Sequence, residues 1–264
     1  MKKETRDVIV TAGIVLAVFG AAYVCVAVYA GSAFPFYTVE SGSMMHSSNS
    51  KIGVLDTGDM VVIRQPSKVN IVSYVEGHES GYSKFGGYGD VILYERPGGT
   101  AVIHRAILYL EYVETIGTDK WWRARGLNEY TGIWTVDSVR ADGAFSGKLT
   151  MSGIGPVGNR SFTLDLNVLA PVSGYVTMGD NNSEPDQING ISYNALVGGG
   201  RVLGVAGFEI PWVGVIKLYI TGNNTDKIPT NSVILLILTL IAIVAVIFAV
   251  NIAYERFVRK KGPE

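Results

Sequence analysis

Gly89-Asp90-Val91-Ile92-Leu93-Tyr94-Glu95-Arg96-Pro97-Gly98-Gly99-Thr100-Ala101-Val102-Ile103-His104 contains two short β-branched runs parted by a Pro-Gly-Gly turn. Branched side chains suit a pleated, half-buried surface, and Gly and Pro punctuate it. The same grammar recurs nearby. Met60-Val61-Val62-Ile63 follows Gly58-Asp59, and Arg201-Val202-Leu203-Gly204-Val205 follows Gly198-Gly199-Gly200. No long helical period interrupts these runs, so the middle of the chain reads as mostly β, as a sheet sandwich or a partly open barrel. The part from about 109 to 173 is less regular. It carries Trp121, Trp122 and Trp134, shows no internal repeat, and reads as a β-rich insertion.

The two ends obey a different rule. Val8 to Ala33 is almost unbroken apolar sequence, and Ser232 to Ala253 contains no charge. About 20 helical residues cross a ~30 Å hydrocarbon layer, so both runs are long enough to span a membrane. A cleavable secretory signal is the competing reading of the first run, with Lys2, Lys3 and Arg6 in front and Gly31-Ser32-Ala33 behind. Its apolar centre exceeds the usual length of a signal core. Basic residues also follow the second run: Arg256, Arg259, Lys260 and Lys261. Basic flanks stay cytoplasmic, so both termini are expected inside and the middle outside. The expected layout is a cytoplasmic 1–7, transmembrane helix 8–33, extracytoplasmic 34–230, transmembrane helix 231–253 and cytoplasmic tail 254–264. Tyr37 and Trp212 suit the outer interface. Ile210–Ile216 suits either the outer leaflet or a buried strand.

Composition narrows the function. A net charge of −1 over 264 residues is unlike the basic face of a nucleic-acid binder. The single cysteine, Cys25, lies inside the first apolar run, so no disulfide forms within the chain. His46, His78 and His104 have no His or Cys at ligand spacing.

Three turns carry groups suited to nucleophilic chemistry. A hydroxyl needs a base within hydrogen-bond reach and gains from a group that orients that base. Ser41 and Ser43 lie just past the first apolar run, His104 directly follows a β run, and Asp180 and Asp186 lie in Gly179-Asp180-Asn181-Asn182-Ser183-Glu184-Pro185-Asp186. Each has a plainer reading: turn residues after a helix, a strand histidine satisfied by backbone, and ordinary Asx turn chemistry. A calcium loop is a further reading of the acidic turn, although the glutamate of the usual loop is missing.

Four segments together resemble the type I signal peptidases, in their archaeal and endoplasmic-reticulum branch. They are Ser41-Gly42-Ser43-Met44; Gly58-Asp59-Met60-Val61-Val62; Gly89-Asp90-Val91-Ile92 with Ile103-His104-Arg105; and Gly179-Asp180-Asn181-Asn182 with Asp186. The resemblance implies a signal-peptidase-like β catalytic domain with an insertion, flanked by two transmembrane helices. It implies a serine endopeptidase that removes signal peptides at small-residue, Ala-x-Ala-like sites. Ser43 matches the nucleophile, His104 the base, Asp186 the triad acid and Asp180 a second acid. Arg105 also matches the pattern. Ser41 and the Ser43 N–H match oxyanion donors. Met44 and Met45 are expected to line the pocket for small substrate side chains, to edge the bilayer, or to pack in the core. No cofactor is implied. The implied partners are signal-peptide-bearing preproteins and the lipid bilayer, with room for the protein-export machinery and no place for nucleic acid.

The chain departs from that pattern at His46, where proline is common, and at Gln187, where arginine is usual. His46 is also a rival base close to Ser43. Two other functions fit the layout: a noncatalytic membrane-anchored binding module, with sequons Asn159-Arg160-Ser161 and Asn223-Asn224-Thr225, and a serine protease for a dedicated surface substrate.

Overall fold

The structure is a computed structural model that describes residues 3–157 and 160–260. Lys2, Lys261 and the sequon residue Asn159 lie outside the described residues. Two long helices bracket the chain: α1 (Lys3–Ala30) and α4 (Thr230–Lys260). Within them, Ala12–Ala30 and Thr230–Ala253 are long and apolar enough to cross a membrane, and their side chains are almost entirely exposed. Exposed apolar surface on this scale marks a face that meets a membrane or another protein. Helix α1 stops at Ala30, short of the apolar run's end at Ala33. Gly31 takes a left-handed φ of 72° and its N–H donates to the carbonyl of Ala27, the usual way a helix closes on glycine.

Between the helices the chain is mostly β. The strands are β1 (Phe36–Thr38), β2 (Met60–Arg64), β3 (Ser83–Lys84), β4 (Gly87–Tyr88), β5 (Val91–Glu95), β6 (Ala101–Ile116), β7 (Asp119–Ala124), β8 (Ile133–Val139), β9 (Phe145–Ile154), β10 (Arg160–Asp165), β11 (Gly174–Met178) and β12 (Val202–Ile210). Ten of them form one antiparallel sheet in the order β1-β2-β12-β5-β6-β7-β9-β10, with β11 on β6 and β8 on β9. The two-residue strands β3 and β4 make a separate hairpin. Its loop residues Phe85 and Gly86 both have positive φ, 50° and 73°, as a tight mirror-image turn demands.

The expected runs become β2, β5, the start of β6, and β12. The irregular middle does not form a separate body. β6 runs unbroken across position 109 to Ile116, and β7 to β10 extend the same sheet. Two short helices interrupt the β pattern: α2 (Tyr74–Ser80) and α3 (Gly214–Thr221). Helix α2 is opened by a capping box, in which the Ser73 hydroxyl accepts from Glu76 N–H and the Glu76 carboxylate accepts from Ser73 N–H. The stretch 210–216 is neither strand nor straight extension. β12 ends at Ile210, the chain turns at Trp212 with φ 63°, and α3 begins at Gly214.

Three apolar clusters hold the domain. One lies under the extended half of the sheet, around Trp122, Leu149, Met151 and Leu164. A second, with Val39, Met44, Leu55, Val61 and Val91, lies beneath the Ser41–Met45 turn. The third, with Ile92, Tyr94, Ala106 and Val205, backs the central strands. The second and third clusters fix β5 and β6 from either side of the segment that carries His104.

Candidate active site

His104 and Arg105 are neighbours on β6, so their side chains leave opposite faces of the strand. Both are buried, at 3% and 0% exposure. A buried polar side chain needs partners, and each finds its own carboxylate.

His104 Nδ1 lies 2.9 and 2.8 Å from the two oxygens of Asp186. Its other nitrogen, Nε2, lies 2.9 Å from Ser43 Oγ. Asp186 is fully buried, and its backbone N–H donates to the Thr177 carbonyl on β11, the strand paired with β6. That bond carries the carboxylate back under the imidazole. The Tyr94 hydroxyl on β5 donates to Asp186 Oδ2 at 2.7 Å. Burial of the Tyr94 hydroxyl first, and then the Asp186 charge beside it, push its pKa up. The phenol therefore stays a donor.

Ser43 sits in a single 3-10 turn, Gly42–Met44. Two contacts pin that turn to the acidic loop: Asn181 N–H donates to the Ser43 carbonyl at 2.7 Å, and Asn181 Nδ2 donates to the Gly42 carbonyl at 3.1 Å. Gly179 permits the approach, because a Cβ there would stand 2.7 Å from the Ser43 carbonyl oxygen. The Ser43 N–H has no acceptor among the described residues, and the first donors of any helical turn lack one within the turn. The exposed Ser41 hydroxyl lies 3.1 Å from Ser43 Oγ.

No family model, curated protein or solved structure matches the chain. A hydroxyl, an imidazole and a carboxylate aligned at 2.8–2.9 Å can move a proton from Oγ to Nε2 while the acid holds the Nδ1–H tautomer. A free N–H and a second hydroxyl beside the same Oγ can receive a developing negative oxygen.

Asp180 does other work. It accepts Arg105 Nε at 2.7 Å and Nη2 at 2.6 Å, and His46 Nε2 lies 2.9 Å from it. Arg105 Nη1 donates to the carbonyls of Lys84, Gly87, Tyr88 and Gly89, so the β3–β4 hairpin wraps the guanidinium. Gly87 is needed there, since a Cβ would meet the guanidinium at 2.9 Å. Burial pushes the Asp180 carboxyl up, but the Arg105 charge and hydrogen bonds outweigh it, and His46 adds to them. The net result is a pKa held below the usual carboxylate range. Thus Asp180 does not touch His104, and His46 is directed at Asp180 rather than at Ser43.

The methionines part company. Met44 is buried among Val39, Leu55 and Val61, as the core-packing reading expects. Met45 is half-buried and accepts a bond from the Thr57 hydroxyl through Sδ. Sequence reasoning missed Tyr94, which it took only as the end of a strand, and Asn181, which it took as turn chemistry. Among the described residues no group of three His, Cys, Asp or Glu side chains is placed to hold a metal ion.

Proposed function

We propose that this chain is a membrane-bound serine endopeptidase that removes N-terminal signal peptides from secreted preproteins. The observation that carries the reading is the Ser43–His104–Asp186 relay, with a free Ser43 N–H beside it. His104 takes the Ser43 proton as Oγ attacks the scissile carbonyl. Asp186 orients the imidazole and stabilises its cation. The Ser43 N–H and the Ser41 hydroxyl receive the oxyanion. The amine leaves with the proton from His104, and water then releases the acyl group by the same path reversed.

The two apolar helices support the substrate assignment. α1 ends six positions before β1 begins, and Ser43 follows shortly after. A nucleophile held this close to a spanning helix meets chains that themselves emerge from the bilayer. With basic residues flanking both helices, the catalytic domain lies outside and both termini inside. Resemblance to the archaeal and endoplasmic-reticulum signal peptidases adds the preference for small residues at the first and third positions before the cut.

The test uses purified, detergent-solubilised full chain and three substrates: a preprotein with Ala-x-Ala before its cut site, the same preprotein with Leu at both positions, and a mature surface protein. The proposal expects one cut, in the first substrate, directly after the Ala-x-Ala. Cleavage of the mature protein in preference to the preproteins indicates a protease for a dedicated surface substrate. Cleavage of none indicates a noncatalytic module.

A further inference from the structure

Strand β10 closes one end of the sheet, and its outer edge is bare. Leu166 N–H donates to the Gly147 carbonyl, so alternate residues Leu164 and Phe162 also turn their backbone groups toward β9. Ser161 and Thr163 therefore present N–H and C=O away from the sheet. Among the described residues neither finds a backbone partner there. Such an edge is a template for one more strand.

The edge does not face open solvent alone. Two adjoining hollows lie between β10 and the loop 181–188, of about 300 and about 370 Å³. The first is bounded by Ser161 and Thr163 on one side and Glu184 and Ile188 on the other. The second continues from Ser161 to Asn181 and Ser183. Asn181 is the residue bonded to the Ser43 and Gly42 carbonyls. The trench thus leads from the wall of the Ser43 turn outward along an unpaired strand.

Its direction relative to the spanning helices is set by the sheet order. Ala30, at the end of α1, accepts from Gln65 N–H just after β2, and Asn231, at the start of α4, bonds the Ser50 backbone. Both spanning helices therefore attach near the β1–β2–β12 end, and β10 is the opposite end. A substrate whose apolar segment lies in the bilayer reaches Ser43 from the first end and leaves toward the second.

We infer that the trench between β10 and the loop 181–188 binds the mature segment of the substrate, carboxy-terminal to the cut, as an extended strand paired to Ser161 and Thr163. This inference rests on the peptidase reading. Recognition runs through main-chain groups, so it accepts many sequences, and the mixed walls, with Asn181, Ser183 and Glu184 beside Ile188, admit polar and small apolar side chains alike. Two main-chain bonds of ordinary strength amount to about tenfold in binding.

The experiment compares a preprotein substrate carrying twelve residues after the cut with one carrying two. Wild type is expected to show a kcat/KM about tenfold higher for the long substrate. Thr163→Pro removes the outward N–H without touching the bonds to β9, and proline is accepted at such edge positions. Its long-to-short ratio is expected to fall to about threefold, because one of the two bonds is lost. Thr163→Val keeps the N–H and should keep the ratio. Independently of any variant, N-methylation of alternate residues in the mature segment should cut wild-type turnover of the long substrate in a two-residue rhythm. Equal wild-type kcat/KM for both lengths, or an unchanged ratio in Thr163→Pro, overturns the trench assignment while leaving the peptidase intact. No cleavage of either substrate by wild type overturns the peptidase reading and this inference with it.

Discussion

Asp180 and Asp186 are both buried carboxylates in one loop, and replacing each should produce a different kind of failure. Asp180 supplies two charge-assisted bonds, 2.7 and 2.6 Å long, to a guanidinium with no exposed surface. Asp180→Ala leaves Arg105 charged, buried and held only by neutral carbonyls. Breaking a buried pair from one side costs roughly 3–5 kcal/mol. For a domain of about two hundred residues each kcal/mol moves the melting temperature by about 2–4 °C, so a drop of roughly 10 °C is expected. Asp186→Asn keeps the shape and removes the charge facing His104. The imidazole then loses its preferred tautomer, and kcat should fall by about 10⁴. Its melting temperature should move by only a few degrees, because Tyr94 can still donate to the remaining carbonyl oxygen. The assay pairs thermal unfolding of the detergent-solubilised chain with cleavage of a model preprotein well below the lower melting point. The reasoning is refuted if Asp180→Ala loses four orders of magnitude at unchanged melting temperature while Asp186→Asn keeps more than a tenth of wild-type turnover.

Tyr94→Phe removes the 2.7 Å donor to Asp186 without unpairing the imidazole, and kcat should fall about tenfold with KM little changed, read by steady-state cleavage. Gly179→Ala places a methyl 2.7 Å from the Ser43 carbonyl, which must shift the nucleophile turn; activity should drop at least tenfold while the far-ultraviolet circular dichroism stays wild type. Asp59 is buried and accepts from the backbone N–H groups of Trp212 and Asp56; burial first, then the nearby Glu209 and Asp56 charges, push its carboxyl up to about 7. The folded chain then holds this proton more tightly than the unfolded one, whose carboxyl titrates near 3.8. Stability should be highest below that value and fall as pH rises toward about 7, by on the order of 4 kcal/mol from this group alone. Urea midpoints from pH 4 to 8 check it, and Asp59→Asn should flatten the slope.

Much of this architecture is legible before any coordinates, for identifiable reasons. The two long apolar helices announce themselves because nothing but length and absence of charge is required of them. β2, β5 and β12 announce themselves because branched residues cluster between glycines. From sequence alone the run of β6 ends at Ile103, because His104-Arg105 looks like the close of an apolar stretch. It continues to Ile116 because each polar side chain is buried against its own acid on its own face. The same alternation sorts the acids: the partner of Arg105 cannot also serve His104. The capping box Ser73-x-x-Glu76 was a local sign of α2, but seven residues are too few for a helical period to register. The 109–173 region resisted because in β8 the half-buried Trp134 and Val136 alternate with an exposed Ile133 as well as Thr135, and its last three residues are exposed on both faces, so apolar residues do not mark the buried face. Tyr94 escaped notice because a tyrosine ending a strand looks like packing until the carboxylate beneath it is placed.

The central claim is that Ser43 Oγ, activated through His104, attacks the scissile carbonyl. Its most direct measurement is single-turnover cleavage of a model preprotein by wild type, Ser43→Ala and His104→Ala, with the product termini read by mass spectrometry. The account predicts one cut by wild type and loss of roughly 10⁴–10⁶ in rate for each variant, at unchanged melting temperature. Cleavage at the same bond and a comparable rate by Ser43→Ala would contradict it.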